Sequence, residues 1–88
     1  MRASMTPGLA RSPEQLGQLI RAARLARGWS QGDLAQRAGM HQPMVSTIER
    51  GHPGAGLASI FALMAALDLE LVVQERSKSS DDEIAGIF

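Results

Sequence analysis

The segment spanning residues 30–51 constrains the fold of this chain most, because its pattern predicts two short helices that meet at a sharp turn. Ser30 is a good N-cap, and Asp33 stands three residues on, at the capping-box position. The first helix of the pair is therefore expected over Gln31–Ala38. Gly39 then ends this helix and opens a tight turn.

The second helix of the pair is predicted over residues 42–50. Pro43 lies in its first turn, where a missing backbone N–H costs nothing. Val45 and Ile48 are expected to face the core, and Gly51 ends the helix. A turn of this kind holds the second helix steeply enough for it to enter the major groove of DNA.

Two further helices flank this pair. The first is predicted over residues 13–27, after the N-cap Ser12, and carries one apolar stripe: Leu16, Leu19, Ile20, Ala23 and Ala26. The last is predicted over residues 57–67 and is apolar nearly all round, which is typical of a buried or interfacial helix. Together these patterns predict an all-α bundle of four to five helices.

Residues 69–75 alternate in hydropathy and are the one strand candidate in the sequence. A lone strand leaves its backbone N–H and C=O groups unpaired. The simplest remedy is pairing with the same strand of a second subunit. We therefore expect a homodimer whose two short C-terminal β-strands pair across the interface through Leu69, Leu71, Val72 and Val73.

The chain accordingly divides into a flexible arm (1–11), a helical domain (12–67), a dimerisation strand (68–76) and an acidic tail (77–88) expected to be disordered. The tail nevertheless contains the apolar residues Ile84, Ile87 and Phe88. These residues are interpreted either as a docking segment for a partner or as a frayed end, and the tail could also serve as a handle for a protease.

The charge of the chain is unevenly distributed, although its formal net charge is zero. Residues 1–67 carry seven arginines against three acids, a net charge of +4. Residues 68–88 carry two cations against six acids, a net charge of −4. A basic body followed by an acidic tail can present a basic face to DNA at zero net charge.

Several function classes are disfavoured by the sequence. The chain contains no cysteine, and His41 and His52 have no further ligands at metal-binding spacing, so neither a metal nor any other cofactor is expected. No paired acids, nucleophile–base pair or glycine-rich phosphate loop points to an enzyme. The longest apolar stretch is far too short to span a membrane, and we expect a cytoplasmic protein.

Segment 30–51 carries a set of residues typical of one family: Ser30-Gln31, Leu34-Ala35, Gly39, Gln42, Val45-Ser46 and Ile48-Glu49-Arg50-Gly51. With these residues it resembles the Xre/Cro family of phage-repressor-like helix-turn-helix domains. This resemblance covers residues 12–67. It implies a lambda-repressor-like fold, binding to a palindromic double-stranded operator, and a recognition helix at residues 42–50.

A narrower resemblance is to the HipB antitoxins. It rests on the spacing from Ser12-Pro13 to Gly28-Trp29-Ser30-Gln31 and on the run Leu67-Asp68-Leu69-Glu70-Leu71. In that subfamily the strand pairs between subunits, and the partner is a HipA-type serine/threonine kinase toxin. The resemblance implies an antitoxin that represses its own operon, with Ile84, Ile87 and Phe88 as candidate toxin contacts.

The candidate DNA-binding residues follow from the resemblance and from groove geometry. Gln42 can bridge N6 and N7 of an adenine or contact the backbone, and Pro43 can pack on a thymine methyl. Ser46 lies one turn beyond Gln42 on the same face. The remaining candidates are phosphate or base contacts at Gln31, Arg37, His41, Thr47 and Arg50. Glu49 is interpreted as structural, pairing with Arg21 or Arg24, and Trp29 as a core residue.

Three other functions stay open at this point. The chain could be a stand-alone transcriptional regulator of the same fold, and a kinase gene beside its own would decide in favour of the antitoxin. It could be a protein-interaction module without DNA binding, which its neutral net charge favours and the set Gln31, Gln42 and Ser46 disfavours. An enzyme is the most remote alternative.

Overall fold

The computed structural model describes residues 8–76, and within that range it contains four α-helices and no strand. The helices are α1 (Pro13–Ala26), α2 (Gln31–Ala38), α3 (Gln42–Glu49) and α4 (Leu57–Ala66). Helix α3 packs against both α1 and α2, and α4 packs against α2. None of the helices in residues 8–76 is long and apolar enough to cross a membrane.

Local sequence signals set the ends of the first two helices. The Ser12 hydroxyl accepts a hydrogen bond from the Gln15 N–H and caps α1. At the start of α2 the Ser30 hydroxyl accepts from the Asp33 N–H, and the Asp33 carboxylate accepts from the Ser30 N–H, which completes a capping box. The hydrogen bonds from Ser30 lower the pKa of Asp33. Gly39 ends α2 with a φ of 70°, a left-handed conformation that favours glycine.

The core lies where the four helices meet. Its fully buried large side chains come from every helix: Ile20, Leu34, Val45, Leu63 and Leu67, the last at the C-cap of α4. Fully burying side chains of this kind stabilises a fold by about 1.5–3 kcal/mol each. The partly buried residues Leu16, Trp29, Ile60 and Leu69 pack around this cluster.

Helices α1 and α3 approach each other closely at Gly17. A Cβ atom built on Gly17 would lie 2.5 Å from the Glu49 carbonyl oxygen and 2.6 Å from that of Ile48. Both obstacles are backbone atoms, which cannot move away as a flexible side chain could. The missing side chain of Gly17 therefore allows the end of α3 to rest directly on α1.

The Arg27 side chain links α1 to the end of α4. Arg27 donates one hydrogen bond to the Ala23 carbonyl and another to the Leu67 carbonyl. The second bond places a cation at the C-terminal end of α4, where it satisfies a free carbonyl and complements the helix dipole. Asp68 follows with a φ of 58°, and segment 69–76 beyond it has no regular secondary structure.

The structure confirms four helices at the predicted places, with small corrections. Helices α1, α3 and α4 each end one residue earlier than predicted. Ala26 is exposed, although the apolar stripe of α1 was expected to bury it. Helix α4 buries Leu63 and Met64 but exposes 64% of Leu57 and 46% of Phe61, so it is only partly covered in the single chain.

The expected strand is not formed within residues 8–76. Residues 69–76 have no regular secondary structure, and Leu69 alone among the four expected dimerisation residues packs against the core. A strand requires a hydrogen-bonding neighbour, which one chain does not supply here. The tail and most of the predicted N-terminal arm lie outside the described residues, and so do Ile84, Ile87 and Phe88.

The glycine contact between α1 and α3 can be tested by alanine substitution. Gly17→Ala should lower the free energy of unfolding by about 1–3 kcal/mol, because the new methyl group collides with two backbone carbonyls. Gly32→Ala is the matched control, since the nearest atom to its Cβ is the Ser30 hydroxyl at 3.6 Å. Gly32→Ala should raise the free energy of unfolding by about 0.5–1 kcal/mol. Urea denaturation followed by circular dichroism measures both, and a neutral Gly17→Ala would contradict the close approach.

Candidate nucleic-acid interface

The buried residues of α3 show which of its faces points outward. Val45, Ile48 and Glu49 are buried against the other helices. With 3.6 residues per helical turn, Pro43 and Thr47 lie on the opposite side. Pro43 is exposed, and Thr47 is half-buried. A contiguous polar and small-residue surface of this kind on a short, rigidly held helix fits a DNA groove.

The beginning of α3 is open to solvent. His41 occupies the N-cap in an extended conformation and makes no capping hydrogen bond with its side chain. His41, Gln42 and Pro43 are all exposed. The N-terminal ends of helices carry free backbone N–H groups and a partial positive charge, which suit contact with phosphate groups.

Gln42 is joined to the start of α2 by a direct hydrogen bond. Its Nε2 atom donates to Oε1 of Gln31 at 2.7 Å. Gln31 is the first residue of α2, so the bond links the N-terminal ends of the two helices. Two candidate DNA-contacting residues therefore form one unit.

A buried ion pair lies behind this unit. Arg24 Nε donates to Glu49 Oε2 at 2.7 Å, and Arg24 Nη2 donates to Glu49 Oε1 at 2.9 Å. Arg24 Nη1 donates further to the Trp29 carbonyl at 2.8 Å. The hydrogen bonds to Glu49 raise the pKa of Arg24 above its usual value, against the opposing effect of burial. Two-point pairing of this kind fixes both side chains in one geometry.

The ion pair and the glutamine pair are in contact with each other. Gln31 Nε2 donates to Glu49 Oε1 at 3.2 Å. A continuous chain of hydrogen bonds thus runs from the buried Arg24, through Glu49 and Gln31, to the exposed Gln42. Among residues 8–76 no buried side-chain nitrogen or oxygen is left without a hydrogen-bond partner.

The far end of α3 carries a second polar pair. Arg50 Nη1 donates to the Ser46 hydroxyl at 2.7 Å, and Arg50 is exposed. The pairing brings a cation next to a hydroxyl group one turn along the same helix. Both groups can bind phosphate or base edges.

Arg37 lies away from α3, over the ring of Trp29. Its guanidinium carbon is 4.1 Å from the ring centroid, and that of Arg27 is 5.7 Å away. These are cation–π distances. Trp29 is half-buried and packs against the core, as the sequence predicted, but it also supports two arginine side chains.

The sequence-predicted residues thus fall into groups. The structure pairs Gln31 with Gln42 and Ser46 with Arg50, and it places His41 and Pro43 at the open start of α3. Arg37 stands apart on Trp29. Glu49 is structural as predicted, and its partner is Arg24 rather than Arg21.

Sequence reasoning missed three features of the site. Met44 is 39% exposed on α3, and it was not among the predicted site residues. The link from Gln31 to Glu49 spans 18 positions in the sequence, and no local pattern indicates it. The close approach of α3 to α1 at Gly17 did have a sequence signal, namely a lone glycine inside an otherwise regular helical pattern.

An exposed apolar surface lies apart from α3. Leu71, Val72 and Val73 are 48%, 68% and 89% exposed, next to a groove of about 900 Å³ between residues 8–11 and 68–76. Leu16, Leu19 and Met64 contribute to its floor. Contiguous apolar exposure of this kind marks an interaction surface.

Comparison with known proteins relates this geometry to one family. A model of the helix-turn-helix family matches residues 20–74, which is more than half of the chain. Antitoxin HipB of Escherichia coli (strain K12) is 27% identical over 71 residues, covering 81% of this chain and 81% of that protein. The uncharacterised HTH-type transcriptional regulator y4dL of Sinorhizobium fredii (strain NBRC 101917 / NGR234) is 43% identical over 65 residues, or 74% of this chain. The match spans only 33% of that regulator's length.

Solved structures similar to this chain include HipB in two assemblies. A chain of a HipA-HipB-O2-O3 complex superimposes with a TM-score of 0.75 at 25% identity, covering 81% of this chain and 100% of that one. A chain of a HipB-O4 20mer complex superimposes with a TM-score of 0.76 at 25% identity and the same coverage of both chains.

The buried ion pair can be tested by comparing single and double substitutions. Glu49→Ala should lower the free energy of unfolding by about 3–5 kcal/mol, because it leaves the Arg24 cation buried without a partner. The double substitution Arg24→Met with Glu49→Leu removes both charges. It should lower the free energy of unfolding much less than Glu49→Ala does. Chemical denaturation of the three proteins measures this difference. A Glu49→Ala protein within about 1 kcal/mol of the parent would contradict the role assigned to the pair.

Proposed function

The chain belongs to the helix-turn-helix family of DNA-binding regulators, and on that premise we propose that it is a sequence-specific antitoxin that represses its own toxin–antitoxin operon. One observation carries the DNA-binding part of this proposal. Gln42 is exposed at the start of a helix that Val45 and Ile48 hold against the core, and its side chain is bonded to Gln31. A rigidly held helix with a glutamine at its open end is suited to reading base edges in the major groove.

The DNA contacts divide by chemistry. Gln42 reads an adenine through its amide, and Pro43 packs on a neighbouring thymine methyl. Ser46 and Thr47 contact the bases or sugars farther along the groove. Phosphate contacts come from the remaining residues of the interface: Gln31, Arg37, His41 and Arg50. Stacking on Trp29 supports this role for Arg37, because it holds the guanidinium extended at little further entropic cost.

A homodimer is the second element of the proposal. Segment 69–76 has no regular secondary structure and exposes apolar side chains. Pairing of this segment as a β-strand with its copy would satisfy its backbone N–H and C=O groups and align Leu71 and Val73, which share one face, with side chains of the copy. A two-fold dimer presents two α3 helices in symmetric positions, which requires a palindromic operator.

The toxin partner is the third element. Support comes from the similarity to HipB antitoxins and from the HipA-HipB-O2-O3 complex, whose HipB chain superimposes on this one. The inferred partner is a HipA-like serine/threonine kinase, with the candidate contacts Ile84, Ile87 and Phe88 beyond the described residues. We place the protein in the cytoplasm, on the nucleoid when it is bound to its operator.

A stand-alone transcriptional regulator is the second candidate function. The 43% identity to the HTH-type transcriptional regulator of Sinorhizobium fredii favours it. Co-purification of a kinase with the chain expressed from its own operon separates the two candidates. Both share the same DNA-binding mechanism.

DNA reading can be tested by selection from random duplexes. The parent protein should enrich one palindromic motif from a pool of random double-stranded oligonucleotides. Gln42→Ala should lose the preference at one base pair in each half-site and weaken binding by about 1–3 kcal/mol. Gln18→Ala, a change at an exposed position of α1, is the control and should keep the parent motif and affinity. Enrichment of no motif by the parent protein would contradict the proposal.

Strand pairing can be tested with proline. Alternate N–H groups of a strand face its partner, so Val72→Pro or Val73→Pro must remove a hydrogen bond from the ladder. At least one of the two variants should sediment as a monomer at micromolar concentration. The controls Val72→Ala and Val73→Ala keep the N–H and should remain largely dimeric. A monomeric parent, or two dimeric proline variants, would contradict pairing through this segment.

A further inference from the structure

The hydrogen-bond chain from Arg24 to Gln42 has a fixed direction. Arg24 donates to both oxygens of Glu49, so the buried carboxylate acts purely as an acceptor. Gln31 reaches the same carboxylate at Oε1 and can interact with it favourably only through its NH₂ group. The carboxylate therefore determines which end of the Gln31 amide points inward.

The orientation of the Gln31 amide in turn sets the orientation of the Gln42 amide. With its NH₂ group on Glu49, Gln31 turns its carbonyl oxygen towards Gln42. That oxygen can only accept a hydrogen bond, so Gln42 donates an N–H to it, at 2.7 Å. One N–H and the carbonyl oxygen of Gln42 then remain free at the exposed end of α3.

These two free groups match one base better than the others. Adenine presents an N6 donor and an N7 acceptor in the major groove, which pair with the oxygen and the remaining N–H of the Gln42 amide. Guanine presents two acceptors, O6 and N7. An inverted Gln42 amide, with its oxygen on Gln31, would offer two N–H groups and would suit guanine.

We propose that Glu49 is a specificity-determining positioning residue, which acts through Gln31 to hold the Gln42 amide in the orientation that selects adenine. The inference rests on the proposed DNA-binding function and deepens it. Glu49 itself is buried, which leaves little of its side chain for a direct base contact. Its effect on base choice comes from an acceptor-only group at the inner end of the chain.

Glu49→Gln tests this directly. The new side chain keeps the size of Glu49, but it can present either an oxygen or an NH₂ group to Gln31. Both orientations of the Gln31 and Gln42 amides then become accessible. Binding is measured by fluorescence anisotropy on two labelled duplexes: the motif selected by the parent protein, and the same motif with guanine at the Gln42-dependent position of each half-site.

The parent protein should prefer the adenine duplex, and Glu49→Gln should reduce that adenine-over-guanine ratio by about tenfold. A parent protein that selects guanine, or a folded Glu49→Gln protein with the parent ratio, would overturn the proposal while leaving DNA binding intact. A parent protein that enriches no motif would overturn the proposed function as well. Circular dichroism at the binding temperature establishes folding.

Gln31→Ala provides a second variant that preserves the ion pair and does not depend on the fold tolerating Glu49→Gln. It removes the link and should lower affinity for the adenine duplex more than for the guanine duplex. Loss of a phosphate contact alone would weaken both duplexes equally, and that result would overturn the proposal. Gln36→Ala, at an exposed position on the same helix, is the matched control and should leave the ratio unchanged.

Discussion

The buried pair of Arg24 and Glu49 is the interaction on which the rest of the structure depends. It joins α1 to the end of α3, and through the Trp29 carbonyl it also holds the loop that leads into α2. Val45 and Ile48 turn one face of α3 into the core, but apolar contacts are non-directional and fix its rotation only coarsely. A two-point ion pair is directional, and it restricts which face of α3 is turned outward.

The two ends of α3 are consequently used for different purposes. Its C-terminal end is anchored, because Glu49 is paired with Arg24 and the backbone of Ile48 and Glu49 rests on Gly17. Its N-terminal end is exposed, and it is linked to α2 through the bond between Gln42 and Gln31. A binding residue supported in this way needs little reorganisation when it meets a ligand, which favours both affinity and specificity.

The features that sequence analysis predicted correctly are those with local signals. Ser12, Ser30 and Gly39 indicated where helices begin and end, and all three act at those positions. The spacing of Val45 and Ile48 gave the inward face of α3. The resemblance to helix-turn-helix proteins then predicted the all-helical fold. Glu49 was expected to pair with an arginine of α1, because an acid on a DNA-facing helix requires a structural explanation.

The features that it missed depend on contacts between distant parts of the chain. The choice of Arg24 over Arg21 as the partner of Glu49 depends on how α1 packs against α3, and the sequence left both arginines open. The contact between Gln31 and Glu49 depends on the angle between α2 and α3, which no local pattern specifies. The strand predicted at residues 69–75 requires a hydrogen-bonding neighbour, and the single chain leaves this segment without regular structure.

Glu49 is buried behind the interface, and its proposed influence on base reading acts through Gln42. The most direct test is a double-mutant cycle with Glu49→Gln, Gln42→Ala and the double variant, measured as binding free energies on the motif selected by the parent protein. Strong coupling is expected, with Glu49→Gln having almost no further effect once the Gln42 amide is absent. Effects of the two changes that add to within about 0.5 kcal/mol would show independent action and contradict the account.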